Sequence, residues 1–332
     1  MQFGYKASAE QFGPRPLLDY ALHAERAGFD SVAVSDHFQP FRHSGGHAPA
    51  ALPWLGAVAA RSERIRIGTS VATPTLRYHP AVLAQAFATV ACLAPGRVFL
   101  GVGSGESLNE VPALGIEWPG FNERLGRLRE AVELIRLLWT QERVSYDGRH
   151  YRTHLATVYD RPPQPVPILI AAAGPRAARF VGEVGDGFIT TSGKPAELYA
   201  DRLLPAVEQG AREAGRDPDG LERMLEVKVS YDRDHERAVA ECEFWSALAL
   251  PAEAKRDVHD PLELERLAVE LGVHGDSRFI VTGDPDEAAE RIAPYIELGF
   301  RHLVFHSPAP DQARFIDAFA AEVLPRLRER FG

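Results

Sequence analysis

Cysteine is scarce in this sequence, which has only Cys92 and Cys242 among 332 residues. Two cysteines cannot form a disulfide framework or a cysteine-rich metal site, so we expect no disulfide scaffold and no bound metal. Basic residues are also in the minority, with 37 Lys and Arg against 46 Asp and Glu and a formal net charge of -9. Because nucleic-acid binding needs a basic face that displaces counterions, we expect no nucleic-acid partner.

Long apolar runs are absent as well. No segment has the roughly 20 apolar residues that cross a bilayer, and the N-terminal residues lack the basic stretch and apolar core of a secretory signal. We therefore expect no membrane partner and a cytoplasmic location. The sequence has no internal repeat or linker and a length near that of one large α/β barrel, so we expect a single domain over residues 1–332.

What the sequence does contain is an alternation of short β-rich runs and amphipathic stretches. Helical patterns, with apolar residues at intervals of three and four, occur at 17–27, 81–92, 125–139 and 284–298. Strands alternating with helices predict a parallel sheet, and eight such units predict a closed (β/α)8 TIM barrel of the α/β class. No Gly-x-Gly-x-x-Gly run follows the first strand, which disfavours an open dinucleotide-binding sheet. The predicted strands are 3–5, 31–34, 65–71, 98–102, 167–171, 187–190, 225–229 and 303–306.

Three connections are longer than a barrel requires: a first insertion at residues 36–50, a second at 140–166 and a third at 245–277. Long connections in compact domains usually carry function, so we expect all three around the active face. The second contains Y-D-G-R at 146–149, which predicts a hairpin turn. The third has a helical, charged pattern.

Reactive groups of such barrels lie at the carboxyl ends of the strands and in the loops that follow. Asp36 and His37 come directly after the second predicted strand. An adjacent carboxylate and imidazole fit general-base catalysis, because histidine titrates near neutral pH and an acidic neighbour sets its state. A loop histidine beside a capping aspartate is an equal alternative.

Small and hydroxyl-bearing residues follow other strands. Segment 68–74 suits the close approach of a flat ring to the backbone, and segment 101–109 leads three glycines into Glu106, an acid that can hold a proton where a pocket is apolar. The turn at 171–175 begins a helix whose N-terminal amides suit a phosphate. Each of these motifs alone is weak, since plain packing turns have the same composition.

Cations form the last candidate group. Lys194 follows hydroxyl-rich residues after the sixth strand, and Lys255 and Arg278 lie in and just after the third insertion. In an otherwise acidic chain, a few placed cations suit a phosphate or a polyhydroxy ligand. The alternative for each is a solvated surface charge.

Several longer motifs run through the chain at consistent spacing. They are G-Y-K-A-S-A-E-Q from Gly4, V-S-D-H-F-Q-P from Val34, G-G-H-A-P from Gly45, A-V-L-A-Q-A-F-A-T from Ala81, R-V-F-L-G-V-G-S-G-E from Arg97, D-G-F from Asp186, T-S-G-K from Thr191 and H-L-V-F-H from His302. With these motifs the sequence resembles, from end to end, the F420-dependent glucose-6-phosphate dehydrogenases of actinobacteria, within the luciferase-like barrel superfamily.

The resemblance implies coenzyme F420 as the cofactor and assigns roles to residues. It implies His37 as the imidazole base and Glu106 as the acid, and a cis peptide between Ser70 and Val71. The implied sugar-phosphate contacts are Phe41, Thr191, Lys194, Lys255 and Arg278. The implied coenzyme contacts are Asp36, Ser70, Val71, Ser104, Gly105, Glu106, Asn109, Ala172, Ala173 and Thr191.

Two positions depart from the family pattern. Phe41 stands where the family has tryptophan, so an indole N–H donor is missing on the sugar side of the pocket. Ala173 stands where the family has glycine, which slightly narrows the approach to the coenzyme phosphate. The identity of the hexose is therefore left open by the sequence.

The reaction implied by the resemblance is oxidation of a hexose 6-phosphate, glucose 6-phosphate or a relative, at C1 by hydride transfer to C5 of the deazaflavin. Alternatives within the superfamily are an F420-dependent alcohol dehydrogenase and an FMN-dependent monooxygenase. A remote alternative is a non-catalytic F420-binding protein. Relatives of this kind are often homodimers, so we expect a homodimer.

Overall fold

The fold is a closed ring of parallel strands, described by a computed structural model that covers residues 1–332. The strands are β1 (Gln2–Ala7), β2 (Ser31–Val34), β3 (Arg66–Thr69), β4 (Val98–Val102), β5 (Val144–Asp147), β6 (Arg152–Ala156), β7 (Ile168–Ala171), β8 (Gly187–Thr191), β9 (Glu222–Tyr231), β10 (Ile280–Thr282) and β11 (His302–His306). All except β5, β6 and β10 form the ring, which closes because β9 pairs with both β8 and β11. The predicted (β/α)8 barrel is confirmed, with its eight strands at the predicted places.

Twelve helices accompany the ring, and most of them pack against its outside. They are α1 (Pro14–Ala27), α2 (Ala51–Arg61), α3 (Pro80–Leu93), α4 (Ser107–Leu114), α5 (Phe121–Thr140), α6 (Pro175–Val184), α7 (Leu204–Glu213), α8 (His235–Glu241), α9 (Pro261–Glu270), α10 (Pro285–Glu297), α11 (Gln312–Glu322) and α12 (Leu324–Phe331). The four predicted helical patterns coincide with α1, α3, α5 and α10. No helix combines the length and apolar character that a bilayer span needs.

Local sequence explains where helices begin and end. Helix α1 begins with a proline and ends at Gly28, whose φ of 94° is one that other residues rarely adopt. Helix α10 follows Asp284, whose carboxylate accepts the main-chain N–H groups of Asp286 and Glu287. Such caps satisfy main-chain groups that the helix itself leaves unpaired.

Most buried apolar residues pack between the ring and its helices, and a smaller layer lies inside the ring. The inner layer takes one residue from each of six strands: Ala33, Phe99, Leu169, Ile189, Met224 and Val304. Inward-facing positions alternate along a strand, so positions 222 and 226 of β9 lie below and above this layer. Both carry glutamate, and the ring therefore has charged groups at its two ends.

The insertions differ in where they begin. The first follows β2 directly, at the carboxyl end of that strand, and the third follows α8 and contributes Trp245, Leu248 and Lys255 to the lining of the large cavity. The second follows α5 and starts at the other end of the ring, since it leads from a helix to a strand. It forms the predicted hairpin, β5 with β6, packed beside α5 where Glu130 accepts the N–H of His150. No residue of the second insertion lines the large cavity, but the Tyr151 hydroxyl contacts the carbonyl oxygens of Pro74 and Thr75 in the loop after β3, so the insertion reaches the carboxyl-end face beside the cavity.

Candidate active site

A cavity of about 730 Å³ opens at the carboxyl ends of the ring strands. Volumes in this range hold ligands of cofactor size. Every residue singled out from the sequence lines it, although the individual roles stay predictions. These residues are Asp36, His37, Phe41, Ser70, Val71, Ser104, Gly105, Glu106, Asn109, Ala172, Ala173, Thr191, Lys194, Lys255 and Arg278.

The loop after β2 presents His37 to the cavity. Its Nδ1 lies 3.3 Å from the carbonyl oxygen of Gln39, which assigns the proton to Nδ1 and leaves Nε2 as an acceptor. Nε2 lies 3.5 Å from Oε1 of Glu10 and 3.7 Å from Oε2 of Glu106. The arrangement is a base flanked by two carboxylates, each able to stabilise the imidazolium that proton transfer creates.

Asp36 is not the partner of this imidazole. Its buried carboxylate lies 3.1 Å from Nη2 of Arg77 and accepts a hydrogen bond of 3.2 Å from the Tyr78 hydroxyl. Burial raises the pKa of Tyr78 to about 12, and the Asp36 charge contributes to that rise. The predicted Asp36–His37 catalytic pair is therefore wrong, because both oxygens of Asp36 are engaged elsewhere.

Asn109 fixes the surroundings of the histidine from two sides. Its side-chain oxygen accepts the main-chain N–H groups of Phe38 at 2.8 Å and Gln39 at 3.0 Å. Its amide nitrogen donates to Oε2 of Glu106 at 3.2 Å. One buried amide thus holds both the loop that carries His37 and the carboxylate that faces it.

Glu106 follows Gly105, whose φ of 92° explains why glycine stands there. The Glu106 side chain is 48% exposed and has His37 and Asn109 as polar neighbours. The apolar pocket considered for it from the sequence is absent.

The three candidate cations lie together although they are distant in sequence. Burial, and then the neighbouring Arg278, lowers the pKa of both Lys194 and Lys255. None of the three has a carboxylate within ion-pair distance, and Nε of Arg278 is buried without a hydrogen-bond partner. These half-buried cations are partly removed from water and have no carboxylate partner, so the group suits an anionic ligand.

The floor of the cavity holds charged residues that sequence reasoning missed. Oε2 of Glu226 lies 2.8 Å from Nζ of Lys6, and its Oε1 lies 3.4 Å from Nζ of Lys228 and 3.4 Å from Nδ1 of His306. All four, together with Glu10, are more than 90% buried. The available signal was the charged residues at alternate positions 226 and 228, which face one side of β9.

Glu10 connects this floor to the base. It is buried in the loop after β1, and its Oε2 accepts a hydrogen bond of 2.5 Å from the Ser35 hydroxyl. Burial raises the pKa of Glu10, but His37, Lys6 and Ser35 together outweigh burial and lower it below its ordinary value. The carboxylate form is therefore favoured beside His37.

Another wall offers small residues and free main-chain donors. The Ser70–Val71 peptide is cis, as the resemblance implied. A Cβ at Gly103 would lie 2.8 Å from a methyl group of Val71, so only glycine allows this packing. The main-chain N–H groups of Ala173 and Gly174 make no backbone hydrogen bond and lie at the start of α6. Donors at a helix N-terminus fit an anionic group.

Two further arginines along the cavity were also missed. Arg124 lies over the Trp118 ring at 4.4 Å, with Nη1 3.4 Å from the Ser104 hydroxyl. Arg176 donates to the side-chain oxygen of Asn122 at 2.7 Å. Neither has a carboxylate partner, so both add positive charge to a cavity of an acidic protein.

Phe41 lies between two other rings, 5.1 Å from His37 and 6.3 Å from Trp245 by centroid distance. Trp245 does not replace the missing indole donor of the family pattern, because its Nε1 donates to Gln11 at 3.2 Å. The sugar side of the cavity therefore has aromatic surface without a free indole N–H.

A parallel (β/α)8 ring whose strand ends hold a flanked base and unpaired cations defines the class, a TIM-barrel enzyme. Residues 1–302 match the family described as luciferase-like monooxygenase. The chain is 61% identical over 331 residues to the F420-dependent glucose-6-phosphate dehydrogenase of Beutenbergia cavernae, covering 99% of this chain and 98% of the relative. It is 59% identical over 333 residues to that of Nakamurella multipartita, covering 100% and 98%.

The chain belongs to the luciferase-like family and, within it, to the F420-dependent glucose-6-phosphate dehydrogenases. Among solved structures, an F420-dependent secondary alcohol dehydrogenase in complex with an F420–acetone adduct superposes with a TM-score of 0.92 at 36% identity. That match covers 98% of this chain and 99% of the other.

Proposed function

We propose that the chain oxidises a hexose 6-phosphate at C1 to the 6-phospholactone, with coenzyme F420 as the hydride acceptor. The names of the relatives support this substrate class. The observation that carries it is the convergence of Lys194, Lys255 and Arg278 in one cavity without a carboxylate partner. A phosphate ester matches such a site, because charge-assisted contacts replace the missing partners. We propose glucose 6-phosphate or a close relative as the hexose.

The residues present fit the coenzyme. When bound, F420 supplies a deazaflavin ring that takes a hydride at C5. The free amides of Ala173 and Gly174, with Arg124, would hold its anionic part, and Ser70 and Val71 would support the ring. The other contacts would be Asp36, Ser104, Gly105, Glu106, Asn109, Ala172 and Thr191.

His37 would act as the base through Nε2, since Nδ1 donates to Gln39. The C1 hydroxyl proton moves to Nε2, the hydrogen on C1 leaves with its electron pair as hydride, and the C1–O bond becomes the lactone carbonyl. The carboxylates of Glu10 and Glu106, at 3.5 and 3.7 Å, would stabilise the imidazolium. The deprotonation therefore needs no group outside this cluster.

The cations would act at a distance from the reacting carbon. Binding energy from a remote group is used to orient the reacting atoms, so a held phosphate would position C1 beside His37. Sugars without the phosphate should then react poorly.

The strongest competing function is oxidation of a simple alcohol, because the solved structure at 36% identity is a secondary alcohol dehydrogenase. A neutral alcohol would leave three cations of this cavity without a partner. The cavity charge therefore favours the phosphate ester.

Steady-state reduction of F420 by glucose 6-phosphate, mannose 6-phosphate, fructose 6-phosphate, free glucose and 2-propanol tests the proposal. We expect turnover with an aldohexose 6-phosphate and little with the two neutral compounds. Faster turnover with 2-propanol would favour the alcohol dehydrogenase, and robust activity with NADP or FMN in place of F420 would overturn the coenzyme assignment.

Neutral replacement of the cations tests the phosphate site residue by residue. Lys194→Ala, Lys255→Ala and Arg278→Ala should each raise KM by about 10- to 150-fold, the equivalent of a charge-assisted contact of about 1.5–3 kcal/mol, without changing coenzyme affinity. Arg152→Ala is the matched control, since it removes an arginine that is 79% exposed on the hairpin. Wild-type KM in all three cavity variants would show that the substrate class is wrong.

A further inference from the structure

A buried lysine stands at the junction of the cavity floor and the wall assigned to the coenzyme. Lys6 is the fifth residue of β1, and its side chain is 5% exposed. Its Nζ lies 2.8 Å from Oε2 of Glu226 and donates to the carbonyl oxygen of Ser70 at 2.6 Å. One ammonium group therefore contacts both a carboxylate of the cavity floor and the carbonyl oxygen of the Ser70–Val71 peptide.

Hydrogen bonding explains why the ammonium is tolerated there. A buried cation is costly unless it is paired and its donors are used. The carboxylate of Glu226 pairs the charge of Lys6, and the Ser70 carbonyl accepts a second N–H. Ser70 is itself held from the other side, because its N–H donates to the carbonyl of Val34 at 2.8 Å. The carbonyl that Lys6 contacts is thus fixed on a ring strand.

The charged groups around this junction belong to several elements. Glu226 and Lys228 lie on β9 and His306 on β11. Glu10, in the loop that follows β1, is faced by His37 and by the hydroxyl of Ser35. On the far side of His37 lies Glu106, which has Lys255 as its cationic neighbour. Lys6 is the cation that acts on both Glu226 and Glu10.

We propose that Lys6 is a positioning residue for the oxidation: it joins the sugar-facing floor to the coenzyme-facing wall through its contacts with Glu226 and the Ser70 carbonyl. This inference rests on the proposed function. Lys6 acts through Glu226 and Ser70, and has no bond-making role of its own.

The pH dependence follows from the charge of Lys6. Burial raises the pKa of Glu226, whereas Lys6, whose Nζ lies 2.8 Å away, and then Lys228 and His306 lower it. Loss of the Lys6 charge should raise the pKa of Glu226, so the carboxylate should be lost at higher pH. Activity that needs this carboxylate should then fall at a higher pH on the acid side. The acid limb of the kcat/KM profile should move upward in pH, and the basic limb should stay in place.

Three variants test the inference. Lys6→Met removes the charge and both contacts, Lys6→Gln removes the charge but keeps an amide donor, and Lys6→Arg keeps the charge. We expect Lys6→Met to lower kcat about tenfold or more, to shift the acid limb upward, and to weaken coenzyme binding measured by F420 fluorescence without sugar. Lys6→Arg should restore the wild-type acid limb. Should Lys6→Met fail to fold, Lys6→Gln, which also loses the charge paired with Glu226, is measured in its place for kcat and coenzyme affinity.

Lys228→Met is the matched control, because Lys228 also contacts Glu226 but has no contact with the Ser70 carbonyl. It should raise KM for the sugar phosphate and leave coenzyme affinity unchanged. Wild-type kcat and coenzyme affinity in a folded Lys6→Met or Lys6→Gln would overturn the inference, as would an equal loss of coenzyme affinity in Lys228→Met. If the wild-type protein fails to reduce F420 with any of the sugar phosphates, the proposed function is wrong. Coenzyme affinity in the Lys6 variants still shows in that case whether Lys6 supports the coenzyme-facing wall at Ser70.

Discussion

The two ends of the barrel carry the same pair of residues on the same two strands. At the amino end, Glu222 of β9 faces His302 of β11, with 2.7 Å between Oε1 and Nδ1. Four residues further along each strand, Glu226 faces His306 at 3.4 Å. The two pairs are a matched comparison, since the strands, the residue types and the spacing are common to both.

The pair at the amino end is complete. Nε2 of His302 lies 2.6 Å from the Ser31 hydroxyl, and two guanidinium nitrogens of Arg66 donate to the two oxygens of Glu222 at 3.1 Å each. Burial raises the pKa of Glu222, but His302 and Arg66 prevail and lower it to about 2. Every polar atom of this glutamate and histidine pair has a partner.

The pair at the carboxyl end is incomplete. Neither ring nitrogen of His306 has a hydrogen-bond partner, and burial lowers its pKa. Glu226 is shared among His306, Lys6 and Lys228. Complete hydrogen bonding therefore stabilises the amino end of the ring. At the carboxyl end, where ligands enter, polar atoms remain free to bind a ligand.

The largest expected effect separates histidines at the two ends. His37→Ala should lower kcat by about 10²–10⁴-fold, the usual contribution of a positioned base, and leave coenzyme affinity nearly intact. The measurement is steady-state kinetics with glucose 6-phosphate together with F420 fluorescence titration.

His302→Ala is the control for that variant. It removes a histidine at the amino end, so the folded fraction should keep a kcat close to wild type while its free energy of unfolding falls. Unchanged kcat in His37→Ala would show that His37 is not the catalytic base. The proposed functional difference between histidines at the two ends would then be wrong.

The next effect concerns the two glutamates. Glu222→Gln should lower the free energy of unfolding at pH 7 by about 1–3 kcal/mol with little loss of kcat, because a charged bidentate contact is removed. Glu226→Gln should reduce turnover more than stability. The free energy of unfolding in urea and kcat should be measured for both variants. Equal losses of stability and of kcat in the two variants would contradict the proposed difference between the two ends of the barrel.

The same pair has a defined pH dependence. Since the folded-state pKa of Glu222 is lowered to about 2 from its ordinary value of 4.5, the stabilisation from its charge is fully present above that ordinary value and is lost as pH falls through about 2. The stability difference between wild type and Glu222→Gln should therefore shrink as the pH is lowered toward that value.

Much of the fold could be predicted because its pattern is local. Eight apolar runs alternate with helical periods, and parallel strands joined by helices allow few arrangements. The second insertion was predicted in part. It leads from α5 to β7 and so starts at the amino end of the ring, and Tyr151 reaches the loop after β3 without lining the cavity.

The site could be predicted in part for a similar reason. Residues in loops after strands, such as His37 and Lys194, were found because barrel chemistry gathers there. Lys6 and Glu226 were missed because they lie within strands that read as core. Side chains alternate between the two faces of a strand, so the inward direction of Lys6 and Glu226 can be predicted from the sequence. Whether they lie at the cavity end of the barrel depends on how neighbouring strands are aligned, which the sequence does not give. Adjacency in sequence also misled, since Asp36 turned out to pair with Arg77.

The smallest expected effect concerns sugar selection at the carboxyl end, where Phe41 stands in place of the family tryptophan. A cavity of about 60 Å³ beside Phe41 gives room for a larger ring, and the nearby indole of Trp245 is already committed to Gln11. Phe41→Trp should add a free N–H donor next to the sugar hydroxyls. Sites that hydrogen-bond a hydroxyl discriminate by its position, so the ratio of kcat/KM for glucose 6-phosphate over mannose 6-phosphate should rise by roughly tenfold.

Phe38→Trp is the control, since Phe38 is on the same loop, 54% exposed and outside the cavity lining. The requirement for phosphate should persist in both variants, because the cations are untouched. An unchanged ratio in Phe41→Trp would mean that other groups select the hexose. Glu226 and Lys228, on the floor of the cavity, are the residues whose replacement would then be tested.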